Sequence, residues 1–441
     1  MSTALDTQKV KKAGWLIKEG GRWKSWKRRF FIFDQKTLSY YKDQLLMQQM
    51  GEIPVKLATC IEPVGKYKKH DFVFKIVTPS RTFYINCSDQ NDLNDWIDCL
   101  KELSARVNVS LAKIPKQTVT EDDFEIISLV GKGAFGKVFL VKEKSTGTLY
   151  AMKVVTKKQV IEQNEVEHTL TEKNILAKVK HPFLVNLYYS FQTSSALHYV
   201  IDYCPGGELY ALMQSSKTFK EQRAKFYAAQ MVLAIEHLHN QGVIYRDIKP
   251  ENIMVCEDGY IRLTDFGLSK TDVPDAAKTS TFCGTPEYLA PELVMNVPYT
   301  NSIDWWGLGI LIYEMLFGAV PFFSEDIQEL YRNILHKQVT FPANTEITLQ
   351  CRDVIEHFLR KKPEERFGDV EQIKEHSWFS DINWEELFSK RIVAPYIPNL
   401  SSPTDLSCFN KSITSEDKKI TGEAVSNEAF KDFTYINHEQ Q

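Results

Sequence analysis

Two short runs hold the side chains of this sequence that are best suited to chemistry. Residues 245–252 are Tyr-Arg-Asp-Ile-Lys-Pro-Glu-Asn, and an Asp-Phe-Gly run at 265–267 begins thirteen residues after Asn252. Phosphoryl transfer needs a carboxylate at the incoming hydroxyl and metal ligands at the phosphates. Asp247 suits the base, and Asn252 and Asp265 suit the metal ligands. The order and spacing of the two runs therefore predict a phosphoryl-transfer site.

A glycine-rich segment lies upstream, after an apolar run at 124–130 that predicts a strand. Glycines let such a turn fold flat over a triphosphate and present backbone N–H groups to it. Dinucleotide-binding folds share this glycine spacing, but a helix follows it there. Residues 137–141 are instead β-branched and aromatic-rich and continue as a strand, which favours a triphosphate. The predicted nucleotide-binding residues are Val130, Gly131, Lys132, Gly133, Ala134, Phe135, Gly136, Lys137 and Val138.

Lys153 adds a cation on a further predicted strand, 149–155. A lysine beside phosphates needs a carboxylate to orient it, and Glu172 on a predicted helix, 165–179, is the natural partner. A lysine and a glutamate nineteen residues apart would ordinarily be two solvated surface charges. The flanking motifs favour a functional pair.

Residues 124–379 resemble the catalytic domain of a serine/threonine protein kinase, from the glycine-rich segment to a His-Ser-Trp-Phe run at its end. The Tyr-Arg-Asp variant, the segment 281–292 (TFCGTPEYLAPE) and a Phe-rich tail resemble the AGC group of kinases. The resemblance implies a bilobal fold that uses ATP and Mg²⁺. It implies that Lys153 holds the α- and β-phosphates. It also implies that Lys249 neutralises the transferred phosphoryl group and that the substrates are serine and threonine.

The composition is that of an ordinary globular protein. At 441 residues, with 43% hydrophobic and 25% charged residues, the chain is too long for one core and predicts two domains. Its eight cysteines are scattered without a Cys-x-x-Cys pair, which predicts a reduced cytosolic protein. The polar N-terminus, 1–12, predicts no signal region.

Charge is divided unevenly along the chain. Residues 1–103 hold 18 basic and 12 acidic residues, a balance of +6, whereas the remainder holds 36 and 45, a balance of −9. A basic N-terminal region followed by an acidic remainder suggests two classes of binding partner.

One long apolar stretch, 303–323, carries Asp304, Glu314 and Pro321. A membrane span is disfavoured, because each acid would cost about 2.5–3.5 kcal/mol at mid-bilayer. The kinase interpretation instead predicts the central buried helix of the large lobe, with Asp304 holding the backbone of the catalytic loop.

The N-terminal region shows short alternating strands at 14–19, 29–34, 38–42, 72–77 and 82–87, followed by a helix at 89–103. This pattern resembles a pleckstrin-homology domain, a small β-barrel with one terminal helix, whose recurring positions are Gly14, Trp15, Leu16, Trp26, Arg29, Phe30, Phe31 and Trp96. With the kinase region behind it, the chain is most similar to the protein kinase B family.

The predicted fold class is therefore α+β. A pleckstrin-homology β-barrel with a C-terminal helix occupies 5–103, and a linker rich in polar residues follows at 104–123. A bilobal protein kinase fold occupies 124–379, and an AGC-kinase C-terminal tail completes the chain at 380–441.

A basic cluster marks the predicted first two strands, where eight basic residues between 11 and 30 accompany one acid. Clustered cations without helical periodicity suit a multiply phosphorylated headgroup. By resemblance, Lys18, Lys27, Arg29 and Arg81 bind 3-phosphoinositides, with the preferred isomer left open. The alternative is a solvated basic face.

Three acids indicate the substrate. Glu208, Glu251 and Glu314 match AGC positions that bind arginines upstream of the target hydroxyl, which suits bidentate carboxylate–guanidinium pairing. Ordinary surface acids are the alternative for any one of them.

Thr281 and Thr434 are the predicted phosphorylation sites. A phosphate on Thr281 would add about −1.5 to −2 charge close to Arg246 and order the loop. His168 matches a family residue that meets this phosphate, although a packed or solvated histidine is equally compatible with the sequence. Thr434 lies in an aromatic run, 430–435, that resembles the AGC hydrophobic motif, which docks on the small lobe. The turn-motif site stays open among Thr414, Ser415 and Thr421.

Two functions compete: an active, lipid-recruited serine/threonine kinase, and a phosphoinositide-binding adaptor whose kinase fold is dead. A dead kinase usually lacks Lys153, Asp247 or Asp265, and all three are present, which favours the enzyme. The predicted partners are protein substrates with upstream arginines, 3-phosphoinositides at the membrane surface and upstream activating kinases, without nucleic acid. The predicted location is the cytoplasm, with recruitment to the plasma membrane.

Overall fold

The computed structural model divides the chain into two compact units, Met1–Gln117 and Thr118–Gln441. Backbone is described for most of both units, whereas the side chains at 60, 81 and 101–110 are not. The described residues are 11–19, 26–34, 37–44, 48–53, 55, 60–78, 81–110, 119–133, 136–271, 284–343, 345–367, 369–416 and 423–437.

Seven described strands form one antiparallel sheet in the N-terminal unit, in the order β4-β3-β2-β1-β7-β6-β5. Their bounds are β1 Lys12–Glu19, β2 Trp26–Phe33, β3 Leu38–Tyr41, β4 Gln49–Ile53, β5 Cys60–Tyr67, β6 His70–Thr78 and β7 Arg81–Asn86. Apolar residues alternate along these strands, as Phe74 and Ile76 do in β6, and they line a common core.

The sequence did not predict β4 and β5. Strand β5 contains Pro63 and Gly65, and its pairing with β6 shifts register at both residues. Proline donates no ladder hydrogen bond and is therefore confined to sheet edges and bulges, and β5 is an edge strand. Pro63 and Gly65 therefore interrupt the alternating pattern of an edge strand that is bulged at these residues.

Helix α1, Gln90–Ser110, packs on this sheet. Asp89 caps its start, because its Oδ1 accepts a hydrogen bond from Asp92 N at 2.9 Å. Leu93, Trp96 and Leu100 share one face and are buried in the core. The helix runs seven residues beyond its predicted end at 103, so the predicted linker, 104–123, begins inside it.

The C-terminal unit contains a six-stranded antiparallel sheet in the order β15-β11-β12-β10-β9-β8 and a separate β13–β14 hairpin. The strands of this unit are β8 Phe124–Lys132, β9 Gly136–Glu143, β10 Leu149–Thr156, β11 Leu187–Gln192, β12 Ala196–Asp202, β13 Ile253–Val255, β14 Ile261–Leu263 and β15 Tyr435–Ile436. The strands predicted at 124–130, 137–141 and 149–155 are confirmed as β8, β9 and β10.

Two helices accompany this sheet in the small lobe, a short tail helix contacts strand β8 of the same sheet, and the others build the large lobe. The small-lobe helices are α2 Lys157–Glu162 and α3 Val166–Lys178, which confirms the helix predicted at 165–179. The remaining helices are α4 Leu209–Ser216, α5 Glu221–Asn240, α6 Pro291–Val294, α7 Ser302–Phe317, α8 Ile327–His336, α9 Leu349–Phe358, α10 Val370–Glu375, α11 Trp384–Phe388 and α12 Lys411–Thr414.

Helix α7 is the predicted central helix of the large lobe, and it is apolar on nearly all sides because other elements surround it. A Cβ atom at Gly309 would lie 2.6 Å from Phe358 Cβ, so α7 and α9 approach closely there. The helix ends at Phe317 rather than at 323, because Gly318 adopts a left-handed conformation with φ 71°. Among the described helices, none combines the length and the apolar character that a membrane crossing requires.

A buried ion pair joins α6 to the segment after α9. Arg366 Nη1 and Nη2 donate to Glu292 Oε1 and Oε2, each at 2.6 Å, and both side chains are nearly inaccessible. The bidentate geometry satisfies both oxygens of the carboxylate.

Candidate active site

Strand β10 and helix α3 bring Lys153 and Glu172 together. Lys153 Nζ lies 2.7 Å from Glu172 Oε1 and 3.4 Å from Asp265 Oδ1. Burial disfavours the charged ammonium, but the carboxylates of Asp265 and Glu172 outweigh burial and raise the pKa of Lys153. Burial raises the pKa of Glu172, whereas Lys153 holds the pKa of Asp265 below its usual value. A charged lysine thus stands between two carboxylates.

The loop before β13 is held in a strained conformation. Arg246 in this loop has a positive φ of 71°, as does Asp265 after β14 at 58°, and non-glycine residues adopt such values only where the surroundings impose them. Asp304 on α7 accepts hydrogen bonds from Tyr245 N at 2.9 Å and from Arg246 N at 2.8 Å. His239 Nε2 lies 2.8 Å from the same carboxylate. The prediction that Asp304 holds this backbone is confirmed.

Asp247 lies at the centre of the loop and is nearly buried. Its Oδ2 accepts hydrogen bonds from Asn252 Nδ2 at 2.7 Å and lies 2.8 Å from Lys249 Nζ. Thr285 Oγ1 lies 3.4 Å from Oδ1. The predicted base, the predicted lysine and one predicted metal ligand are therefore in mutual contact.

The glycine-rich turn joins β8 to β9 above these residues. A Cβ atom at Gly136 would lie 1.9 Å from the carbonyl oxygen of Val154, so only glycine fits where β9 pairs with β10. At Gly133 no atom would lie within 4 Å of an added Cβ. Ala134 and Phe135 lie outside the described residues. Close packing therefore requires glycine at position 136, whereas Gly133 faces open space.

A cleft of about 700 Å³ lies between the two lobes and is lined by most of the predicted site residues. Lys137 and Glu314 are not part of its lining. The predicted residues that line the cleft are Val130, Gly131, Lys132, Gly133, Gly136, Val138, Lys153, Glu172, Glu208, Asp247, Lys249, Glu251, Asn252 and Asp265.

Among the three predicted substrate-binding acids, the charge of Glu251 acts on both Glu208 and Glu314. Burial raises the pKa of Glu208, and the charge of Glu251 adds to the rise. Burial also raises the pKa of Glu314, with further rises from Glu251 and Glu287, although a hydrogen bond from the Tyr288 hydroxyl opposes them. Adjacent carboxylates that repel one another are well placed to gain from a cation.

The C-terminal tail docks on the small lobe, as its aromatic run predicts. Phe430 and Phe433 are both fully buried, and Phe433 meets Tyr199 edge to face with a centroid distance of 5.0 Å. Gln192 Nε2 donates to the carbonyl oxygen of Phe430 at 2.9 Å, and Lys173 Nζ donates to that of Asp432 at 2.7 Å. Strand β15 then pairs with the edge strand β11.

Of the two predicted phosphorylation sites, only Thr434 lies among the described residues. Thr434 is exposed between buried Phe433 and β15, whereas Thr281 lies outside the described residues. His168 is exposed, and its Nδ1 lies 2.6 Å from Glu165 Oε2. Of the turn-motif candidates, Thr421 lies outside the described residues and Thr414 ends α12.

The predicted lipid-binding cations lie along the first hairpin of the N-terminal unit. Lys18 pairs with Lys27, and Leu16 with Arg29, so that Lys18, Lys27 and Arg29 share one face of the β1–β2 ladder. Lys18 Nζ lies over the Tyr40 ring at 4.8 Å. The side chain of Arg81 lies outside the described residues.

Family models and relatives identify the chain. A protein kinase domain model matches residues 124–379, and a PH domain model matches residues 10–105. The chain is 44% identical over 440 residues to a RAC family serine/threonine-protein kinase homolog of Dictyostelium discoideum, covering 98% of each chain. It is 35% identical over 451 residues to RAC-beta serine/threonine-protein kinase of Homo sapiens, covering 93% of each. The chain belongs to the RAC family of serine/threonine-protein kinases.

These matches confirm that the chain resembles a serine/threonine kinase with a PH domain ahead of the kinase domain. A further relative, RAC-beta serine/threonine-protein kinase B of Xenopus laevis, is 34% identical over 455 residues and covers 93% of each chain. The chain is a serine/threonine protein kinase of mixed α and β structure, with a strand-rich small lobe and a helical large lobe.

Sequence reasoning missed one part of the cleft, which comes from the kinase tail. Phe409 lines the cleft and stacks on Tyr203 with a centroid distance of 6.0 Å. The Tyr203 hydroxyl lies 3.5 Å from the carbonyl oxygen of Asp405. A single phenylalanine in a polar tail forms no periodic pattern, so the sequence does not predict that Phe409 reaches the cleft.

Proposed function

We propose that this kinase transfers the γ-phosphoryl group of ATP to serine or threonine in protein substrates, at the cleft between its lobes. The contact of Lys153 with Glu172 at 2.7 Å, beside Asp265, is the observation that carries the proposal. Glu172 is buried, whereas Lys153 and Asp265 open onto the cleft. Interacting charged groups with shifted pKa values in a cleft are typical of functional sites.

The residues present fit ATP and magnesium. Asp265 and Asn252 supply a carboxylate and an amide oxygen, which are hard ligands that suit Mg²⁺. Magnesium, when bound, would neutralise charge that develops on the phosphates. Lys153, oriented by Glu172, would bind the α- and β-phosphates. Backbone N–H groups of the glycine-rich turn would bind the remaining phosphate oxygens.

Asp247 is the residue that would orient the substrate hydroxyl and accept its proton. Asn252 and Lys249 hold its carboxylate in place by contacts of 2.7 and 2.8 Å. The Lys249 ammonium is therefore next to the position where the phosphoryl group passes to the hydroxyl. Its positive charge would stabilise that group during transfer.

This mechanism is tested by Asp265→Asn, Lys153→Met and Asp247→Asn in the full chain. The first two should reduce peptide phosphorylation to background, and Asp247→Asn should lose roughly a hundredfold or more, because the hydroxyl lacks its base. Lys142→Met, an exposed lysine of β9, is the matched control and should keep its rate. A near-normal rate in Asp265→Asn with ATP and magnesium would contradict the assignment.

Arginine-rich segments are the substrates that the cleft acids favour. Glu208 and Glu251 both line the cleft, where burial and the charge of Glu251 raise the pKa of Glu208. An arginine guanidinium would relieve that repulsion and pair with carboxylate oxygens. Replacing Glu208 by Gln should lower kcat/KM about tenfold or more for a peptide with upstream arginines, because a charge-assisted hydrogen bond is worth about 1.5–3 kcal/mol. An equal loss with an arginine-free peptide would contradict substrate reading by Glu208.

The PH domain would recruit the kinase from the cytoplasm to the plasma membrane through 3-phosphoinositides. Lys18, Lys27 and Arg29 share one face of a hairpin, which supports convergence on one multiply charged headgroup. Recruitment would bring the kinase to upstream kinases at the same surface. Phosphorylation of Thr281 and Thr434 by those kinases would then raise activity.

A further inference from the structure

A pair of cysteines lies where the segment after β12 passes the end of β13. Cys204 Sγ and Cys256 Sγ are 3.5 Å apart, and both residues are buried. Cys204 also lines the cleft between the lobes. The kinase mechanism uses neither thiol, so their contact has no role in phosphoryl transfer.

Backbone hydrogen bonds hold the two cysteines in register. Gly206 N donates to the carbonyl oxygen of Val255 at 3.0 Å, and Val255 N donates to that of Gly207 at 2.8 Å. Cys256 N donates to the carbonyl oxygen of Tyr260 at 2.8 Å. These bonds fix the backbone spacing of the two cysteines while the fold is intact.

The surroundings favour a thiolate on one member of the pair. A hydrogen bond from Cys204 lowers the pKa of the Cys256 thiol and outweighs burial, and the cations of Arg262 and Lys390 lower it further against the charge of Asp258. The same hydrogen bond and burial raise the pKa of Cys204, which is therefore the protonated member of the pair. Among the other described cysteines, burial raises the pKa of Cys87 and Cys351. Reactive cysteines lie beside cations, whereas structural buried cysteines have raised pKa values and are inert.

We propose that Cys204 and Cys256 form a dithiol oxidation site that hydrogen peroxide converts into an intramolecular disulfide. In the first step, the Cys256 thiolate attacks one peroxide oxygen, the O–O bond breaks, and the leaving hydroxide takes a proton to become water. Cys256 is then a sulfenic acid. In the second step, Cys204 sulfur attacks Cys256 sulfur, the S–S bond forms, and the hydroxyl group leaves as water with the Cys204 proton. Two thiols are oxidised and one peroxide is reduced to two waters.

The disulfide would tie the segment after β12, which belongs to the link between the lobes, to the end of β13 in the large lobe. An S–S bond is about 2.05 Å long, so the sulfur atoms must approach by about 1.5 Å from their present separation. Rotation about the two Cα–Cβ bonds, with a small shift of the backbone, would close this gap. Because Cys204 lines the cleft, the shift occurs at its wall.

The experiment treats the full-length protein with hydrogen peroxide, blocks the remaining thiols with an alkylating reagent and digests it with trypsin. Cleavage at Lys180, Lys217, Arg246 and Arg262 places Cys204 in peptide 181–217 and Cys256 in peptide 247–262, each with a single cysteine. The expected product is these two peptides joined, lighter by about 2 Da than their reduced sum. Dithiothreitol should separate them.

Single variants distinguish the proposed pair from general oxidation. Cys204→Ser and Cys256→Ser should each abolish the joined product, whereas Cys351→Ser should leave its yield unchanged. In Cys204→Ser, Cys256 should accumulate as a sulfenic acid that a dimedone reagent captures, because its resolving thiol is gone. Because the readout is a mass and not an activity, it does not depend on the kinase assignment.

Two results would overturn the proposal. One is separate oxidation of Cys204 and Cys256 to sulfinic acids without joined peptides. The other is a pair that stays reduced at peroxide concentrations that oxidise Cys351, which has no thiol neighbour among the described residues. A circular-dichroism comparison of each serine variant with the unmodified protein shows whether the fold is intact.

Discussion

The substitution Phe433→Ala tests whether the docked tail positions the catalytic lysine. Phe433 is fully buried and meets the Tyr199 ring edge to face. Lys153 Nζ lies 5.7 Å from the centroid of that same ring, and the Tyr199 hydroxyl donates to the carbonyl oxygen of Thr169 on α3 at 3.0 Å. Tyr199 therefore contacts the tail, the catalytic lysine and the helix that carries Glu172. Loss of the Phe433 ring should loosen all three contacts.

The size of the effect follows from burial. Burying a phenylalanine side chain is worth about 1.5–3 kcal/mol, and an edge-to-face ring pair adds about 0.5–1.5 kcal/mol. The truncation should therefore remove about 3 kcal/mol from tail docking, a factor of about 150 in the docked-to-undocked equilibrium. The contacts of Phe430 and β15 would remain. The tail should therefore undock only partially if these contacts contribute more free energy than the Phe433 side chain does.

The assay combines specific activity with hydrogen exchange. Phe433→Ala should lower kcat towards that of protein without a phosphate on Thr434, and amides of α3 and β15 should exchange faster. Val393→Ala is the matched control, because Val393 is also a tail residue with a branched apolar side chain but is exposed. The coupling argument fails if β15 exchanges faster in Phe433→Ala while kcat is unchanged. In that case the tail docks without positioning Glu172.

Two further substitutions test other parts of the molecule. Arg29→Cys should weaken binding to vesicles that contain phosphatidylinositol 3,4,5-trisphosphate by about tenfold or more, since one charge-assisted contact is lost. Arg28→Cys is its control, because Arg28 lies on the opposite face of β2 over the Trp15 ring. If the two variants sediment equally with the vesicles, the basic cluster is only a solvated face. Arg366→Leu should destabilise the large lobe by about 3–5 kcal/mol, because Glu292 is left charged and buried. Thermal unfolding should show recovery in the double variant Arg366→Leu/Glu292→Leu, and no recovery would contradict an electrostatic cause.

Local patterns allowed much of the fold to be predicted. Strands β8 and β9 were predictable because apolar runs lie on either side of the glycine-rich turn, and β10 and α3 because they carry Lys153 and Glu172 in the order that a kinase requires. The two runs around Asp247 and Asp265 gave the family and the chemistry because their residue types have few other uses at that spacing. The fold class and the serine/threonine kinase assignment are confirmed by family models and relatives.

Other features depend on contacts between distant residues and leave no local pattern. Strand β5 interrupts its alternation with Pro63 and Gly65, so the pattern fails although the strand exists. Phe409 reaches the cleft only because the tail crosses beside Tyr203. Cys204 and Cys256 are separated by 52 residues, so their contact follows from the pairing of two backbone segments. Such features require the three-dimensional path of the chain.

The five charged groups in contact around Lys153 and Asp247 determine what an incoming nucleotide meets at the catalytic centre. Lys153 and Lys249 face the carboxylates of Glu172, Asp265 and Asp247, so that two ammonium groups stand against three acids, a net of −1. A nucleotide triphosphate is itself strongly negative, and the acids would repel it if it arrived alone. Both lysines already contact carboxylates, at 2.7 and 2.8 Å, and so do not offset that repulsion fully. Asp265 would hold a divalent cation, whose charge would offset the repulsion between these acids and the phosphates. Lys153, which contacts both Glu172 and Asp265 in this structure, would then be oriented by Glu172 towards the phosphates.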